Sequence, residues 1–66
     1  MAASLQEVNE WIAIGKKKGA THVISVCDTF DWDDYPVYVM PDQDVVEREA
    51  HYRNSSMQKI NEVIEL

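Results

Sequence analysis

The residues best equipped for chemistry are two histidines, one cysteine and a run of carboxylates. His22 and His51 could serve as general bases near neutral pH, and Cys27 could serve as a nucleophile. Their surroundings argue against both roles. His22 falls in an alternating stretch that suits a strand, and His51 falls in the middle of a helical stretch. No Lys or Arg lies within ten residues on the C-terminal side of Cys27 to lower its pKa. The expectation is two structural or surface histidines and a small buried thiol. With only two glycines, neither suitably spaced, the chain has no phosphate-binding loop. The sequence predicts no enzyme, no catalytic residue and no cofactor.

The carboxylates carry more information. All six aspartates, Asp28, Asp31, Asp33, Asp34, Asp42 and Asp44, fall between residues 28 and 44, with no Lys or Arg among them. The six glutamates outside this stretch are balanced by six Lys and Arg, so the formal charge of −6 is concentrated there. Asp28, Asp31, Asp33 and Asp34 could gather hard oxygen ligands for a divalent cation. However, the stretch lacks both the glycine and the terminal bidentate Glu of an EF-hand loop, so a solvated turn is the simpler expectation and no metal site is predicted. Aromatic residues interleave the acids in Asp28-Thr29-Phe30-Asp31-Trp32-Asp33-Asp34-Tyr35. Carboxylates spaced along a hairpin imitate a line of phosphates and suit a groove of Arg and Lys built for nucleic acid. Trp32 and Tyr35 would supply the desolvated anchors, because aromatics carry a large share of interface energy. The same residues also suit a turn that only caps itself, with Trp32 folded back onto the helices. The excess of negative charge argues against direct nucleic-acid binding.

The elements that position these residues follow from pattern. Ser4-Leu5-Gln6-Glu7 has the form of a capping box. Leu5, Val8, Ile12 and Gly15 follow at helical spacing with Trp11 beside them. Lys16, Lys17 and Lys18 suit the negative end of a helix, and Gly19 suits its left-handed cap. A helix is expected over about residues 4 to 18. Residues 21 to 30 and 35 to 40 are rich in β-branched and aromatic types and predict a two-stranded antiparallel hairpin. Setting Phe30 opposite Tyr35 also sets Val26 opposite Val39 and Asp28 opposite Val37. One face then carries Ile24, Val26, Tyr35, Val37 and Val39. The other carries Val23, Ser25, Cys27, Pro36, Tyr38 and Met40, which is too apolar for plain solvent surface. Asp44 has the form of a second helix cap. Val46, Ala50, Arg53, Met57, Ile60 and Ile64 recur at spacings of four and three, predicting one or two C-terminal helices. Ser55-Ser56-Met57-Gln58 favours two, over about residues 45 to 53 and 56 to 65.

The expected fold is a single α+β domain over residues 1–66: an N-terminal helix, a hairpin, and C-terminal helices on one sheet face. At this length a hydrophobic core alone gives marginal stability, and the single cysteine excludes an internal disulfide. Two strands would leave two open edges. A homodimer or a covering partner is therefore expected. No secretion signal and no run of apolar residues long enough for a membrane helix is evident, so a cytoplasmic location is expected.

Several segments, Gly19-Ala20-Thr21-His22, Cys27-Asp28-Thr29-Phe30, Asp34-Tyr35-Pro36-Val37-Tyr38-Val39 and Met57-Gln58-Lys59, resemble a family of small phage and prophage early-gene proteins. The resemblance spans roughly residues 15 to 66. It implies a setting in the cytoplasm of an infected cell and carries no catalytic residue across. Small acidic phage proteins include inhibitors of host-defence nucleases, anti-CRISPR proteins among them, some of which mimic DNA. The function expected is inhibition of a host protein by occupation of its basic, nucleic-acid-binding surface. Asp28, Asp31, Trp32, Asp33, Asp34, Tyr35, Asp42 and Asp44 would make the contact. The alternative is a dimeric domain that sequesters a host nucleotide signal, with Lys16 to Lys18, His22, Arg48 and Arg53 as donors and Trp11 or Tyr52 stacking.

Overall fold

The computed structural model describes residues 4–66. Helix α1 spans Leu5–Lys18, strands β1 and β2 span His22–Asp28 and Asp33–Val39, helix α2 spans Val45–Arg53, and strand β3 spans Gln58–Glu65. The architecture is α+β, with a three-stranded antiparallel sheet in the order β2-β1-β3. Because β2 and β3 flank β1, α2 carries the chain across the sheet between them.

Local chemistry sets the helix ends as expected. Ser4 caps α1, its hydroxyl accepting from the Glu7 N–H at 3.2 Å. Gly19 ends α1 at φ 83°, a left-handed conformation costly for a side chain with a Cβ. The Asp44 carboxylate caps α2 by accepting from Val46 N–H at 2.9 Å.

The sheet has two apolar faces, and each receives a helix. Ile24, Val26, Val37 and Val39 form the main core, with Tyr35, Val45, Tyr52, Ile60 and Val63 packed against it. The opposite face meets α1 at Gly15, where an added Cβ would lie 3.1 Å from Val23 Cγ2 and 3.4 Å from a Tyr38 ring carbon. Val8, Trp11 and Ile12 are half-buried along the same side of α1, while Leu5 at its start is exposed. The apolar second face thus finds its cover within the chain.

Two expectations are corrected. The segment Gln58–Glu65 is a strand, not a helix. Its periodicity mimics a helix because of a bulge. Ser25 pairs with Glu62 but Val26 pairs with Ile60, which leaves Asn61 as the extra residue. The bulge returns Ile60 and Val63, three residues apart, to the same core face. A spacing of three, which a helix also produces, here comes from an interrupted alternation. The second correction is register. Asp28 faces Asp33, Val26 faces Tyr35 and Ile24 faces Val37, so the hairpin loop is residues 29–32. Phe30 belongs to this loop and is exposed. The shift is an even number of residues, so the division of side chains between the two faces is unchanged.

Deleting Asn61 separates the two periodicities. In a bulged strand the deletion regularises the ladder and leaves Ile60 and Val63 on their face. The expected cost is about 1–2 kcal/mol from the lost side-chain hydrogen bonds, measured by urea denaturation. In a helical seam it would rotate everything after it out of register and unfold the domain.

Candidate acidic–aromatic interaction surface

The β1–β2 hairpin projects its loop through a set of local hydrogen bonds. Asp28 Oδ1 accepts from Phe30 N–H at 2.9 Å, and Asp31 Oδ1 accepts from Asp33 N–H at 3.2 Å. Each is the short-range turn that Asp favours. Trp32 donates its N–H to Asp28 C=O at 2.7 Å and closes the loop at φ 60°. A left-handed backbone is uncommon for a tryptophan. The residue is 57% exposed. Lys59 of β3 sits 5.6 Å from the indole centroid, a cation–π contact.

The expected contact residues divide into three groups. Asp28, Asp31, Trp32 and Asp33 come together at the hairpin end. Asp34 and Tyr35 turn inward instead. Asp34 Oδ1 accepts from Asn61 Nδ2 at 3.2 Å, and its second carboxylate oxygen is buried. Tyr35 packs on the core face beneath α2, and its hydroxyl accepts from Gln58 Nε2. It is a core residue with a satisfied hydroxyl, not a surface anchor. Asp42 and Asp44 lie beyond the opposite end of β2. A seven-residue strand separates them from the loop, roughly 20 Å at the usual rise. The acids that are continuous in sequence therefore form two separate groups in space.

Sequence reasoning missed three members of the surface. Phe30 is 78% exposed and Met57 48% exposed, and Met57 C=O accepts from Thr29 N–H at 2.9 Å, which places it beside the loop. Lys59 is the third, a cation inside a patch whose sequence contains none. Met57 and Lys59 arrive only because β3 pairs beside β1, and nothing local in the sequence signals that. Among the described residues no group of acids, His and Cys is arranged to hold a metal ion, and no pocket is found.

The basic residues do not converge. Lys18 lies over the Tyr38 ring, Arg48 lies over the Tyr52 ring, and Arg53 pairs with Glu49 one turn away on α2. His22 bonds to Thr21 and sits 3.9 Å from Glu65. His51 meets Tyr52 edge-on. These cations occupy different elements on different sides of the sheet. No helix among the described residues is long and apolar enough to cross a membrane. Comparison with family models, curated proteins and solved structures returned no match.

Cys27 is buried beside this surface, facing Asp34 across the β1–β2 ladder. Burial raises the thiol pKa, and the neighbouring Asp34 raises it further. Burial likewise raises Tyr38 and Tyr35, the latter also through Tyr52 and Asp28. A raised acid keeps its proton in the folded state after the unfolded chain has lost it, so stability falls as pH rises through that window. Stability should therefore decline above the ordinary thiol value of about 8.5. In Cys27→Ala that decline should be delayed until the tyrosine range near about 10. Urea titrations across the alkaline range measure both slopes.

Proposed function

We propose that the protein acts on another protein, occupying a basic, nucleic-acid-binding surface with the end of its β1–β2 hairpin and thereby inhibiting its partner. The observation that carries this reading is Trp32, exposed at the end of the hairpin between Asp31 and Asp33. An exposed aromatic side chain flanked in the loop by Asp31 and Asp33, with Lys59 against its ring, offers a cationic groove an apolar anchor beside carboxylates. The indole would provide the desolvated anchor, and the carboxylates would steer the encounter. Phe30 and Met57 widen the apolar centre, so the footprint is larger than a line of charges alone. Asp34 supports the surface through Asn61 and does not make contact itself. In the setting that the sequence resemblance implies, the partner is a host factor that handles nucleic acid in the cytoplasm, and the protein acts as a homodimer. It performs no catalysis in this reading.

The test begins with capture of the partner from host lysate by the wild type and the Trp32→Ala variant side by side. Binding kinetics on the captured protein follow. Trp32→Ala should weaken binding by about 2 kcal/mol, roughly thirtyfold in Kd, with the circular dichroism spectrum unchanged. Asp31→Asn with Asp33→Asn keeps the turn geometry while removing charge. It should slow association and flatten its salt dependence, with less effect on dissociation. Free nucleic acid should displace the wild type from its partner. Equal capture by Trp32→Ala, or no displacement by nucleic acid, would refute the proposal.

A further inference from the structure

The edges of the sheet differ, and the difference points to the surface through which the homodimer of the preceding reading forms. On β2, Val39 C=O accepts from Thr21 N–H and so points toward β1. Alternation then turns Pro36, at the middle of β2, toward the outer edge, where its missing N–H interrupts any further ladder. The β3 edge has no such break. Met57 C=O accepts from Thr29 N–H, and Leu66 N–H donates to Thr21 C=O. Counting from both ends across the bulge, Met57, Lys59, Glu62, Ile64 and Leu66 direct their backbone groups at β1. Gln58, Ile60, Val63 and Glu65 direct theirs to the open side.

We propose that β3 pairs with β3 of a second copy, antiparallel, about a two-fold axis between Asn61 and Glu62, joining two three-stranded sheets into one. The inference rests on the homodimer of that reading and names its interface. The bulge is the reason for this register. A regular strand can pair with its own copy in many registers, because its side chains alternate without interruption. In β3 the core-facing residues are Gln58, Ile60, Val63 and Glu65, and Lys59, Asn61, Glu62 and Ile64 take the other face. Only the register that sets residue 60 opposite 63 keeps every residue across from one on its own face. That register also aligns the outward-directed backbone groups, pairing 58 with 65 and 60 with 63.

The side chains agree with the backbone. Ile60 and Val63, both half-buried in one chain, meet their counterparts and continue the apolar core under α2 across the axis. Lys59 lies diagonal to Glu62 of the second copy on the other face, giving two symmetric ion pairs. Charged residues on an edge strand ordinarily discourage foreign strands. Here they are matched only when the incoming strand is β3 itself. The interface is isologous, as a two-fold axis requires.

Sedimentation equilibrium tests the interface. The wild type should be dimeric. Glu65→Pro removes an outward N–H and should raise the dissociation constant about tenfold or more, since the bond is lost twice across the axis. Glu62→Lys, at an exposed position, sets like charges against Lys59 of the second copy and should also weaken the dimer. Adding Lys59→Glu to Glu62→Lys should restore it. If Glu65→Pro fails to fold by circular dichroism, the charge-reversal pair decides the matter. A wild type that stays monomeric at millimolar concentration overturns the inference, as does a dimer that the folded variants leave unchanged. Asp31→Asn with Asp33→Asn, which changes no residue of β3 and no contact of Lys59, should leave the dimer constant alone. A monomer that still captures a partner through Trp32 would remove this interface and leave the hairpin-end reading standing.

Discussion

Burial of β1 is the constraint from which the rest of the structure follows. Residues 23–27 are all buried, five in succession, so this strand must be covered on both faces and paired along both edges. In a chain of 66 residues that demand consumes nearly every other element. Strands β2 and β3 take the edges, α2 covers the face of Ile24 and Val26, and α1 covers the face of Val23 and Cys27. Gly15 belongs to the same constraint, because the approach of α1 to Val23 and Tyr38 leaves little room for a side chain there. Two side-chain bonds reach over β1 and tie its neighbours to each other, Gln58 to Tyr35 on one face and Asn61 to Asp34 on the other.

With the core so occupied, what remains for contact with other molecules is the ends of the sheet and its open edges. The hairpin end holds Asp31, Trp32 and Asp33 outward, beside Phe30 and Met57. The far end carries Asp42 and the α2 cap. At the far end Asp44 is engaged in local structure: it satisfies a backbone N–H that would otherwise be an orphan of the helix terminus. At the hairpin end the carboxylates of Asp28 and Asp31 also hold turns, yet each has a second oxygen, and Asp33 stands exposed beside them. The same acids therefore shape the loop and give it its charge.

The bulge at Asn61 links the parts. It sends the Asn61 amide inward to Ser25 and Asp34, at 3.4 and 3.2 Å, which braces the base of the acidic loop from the far strand. It keeps both Ile60 and Val63 on the core, and it sets the register of the dimer we propose at the open edge. Placing Lys59 against Trp32 follows from the same strand pairing. A single extra residue in the last strand thus bears on core packing, the hairpin end and the edge together.

How much of this the sequence carried depends on whether the determining contacts were local. Ser4, Gly19 and Asp44 set helix ends through bonds to residues two to four positions away, so both helices through Arg53 were legible. The two faces of the hairpin were legible too, because alternation survives any even shift in register. The loop itself was not. Phe30 resembles a strand residue by type, and only the Asp28 turn and the left-handed Trp32 move it out. The clustering of aspartates in sequence suggested one patch, but a strand of extended backbone runs between its halves, and Tyr35 lies on the buried side of the pleat.

Composition and local spacing by themselves determined an acidic α+β domain with a capped first helix, an apolar two-faced hairpin and an acid-rich connecting loop. Tertiary structure alone decided that residues 58–65 form a strand, since their helix-like spacing comes from a bulge defined only against β1. It also decided that Lys59 and Met57 join the hairpin end and that Tyr35 leaves it. The physical reason is that strand pairing satisfies backbone groups between segments far apart in the chain, and no short-range pattern specifies which segments of the chain will pair.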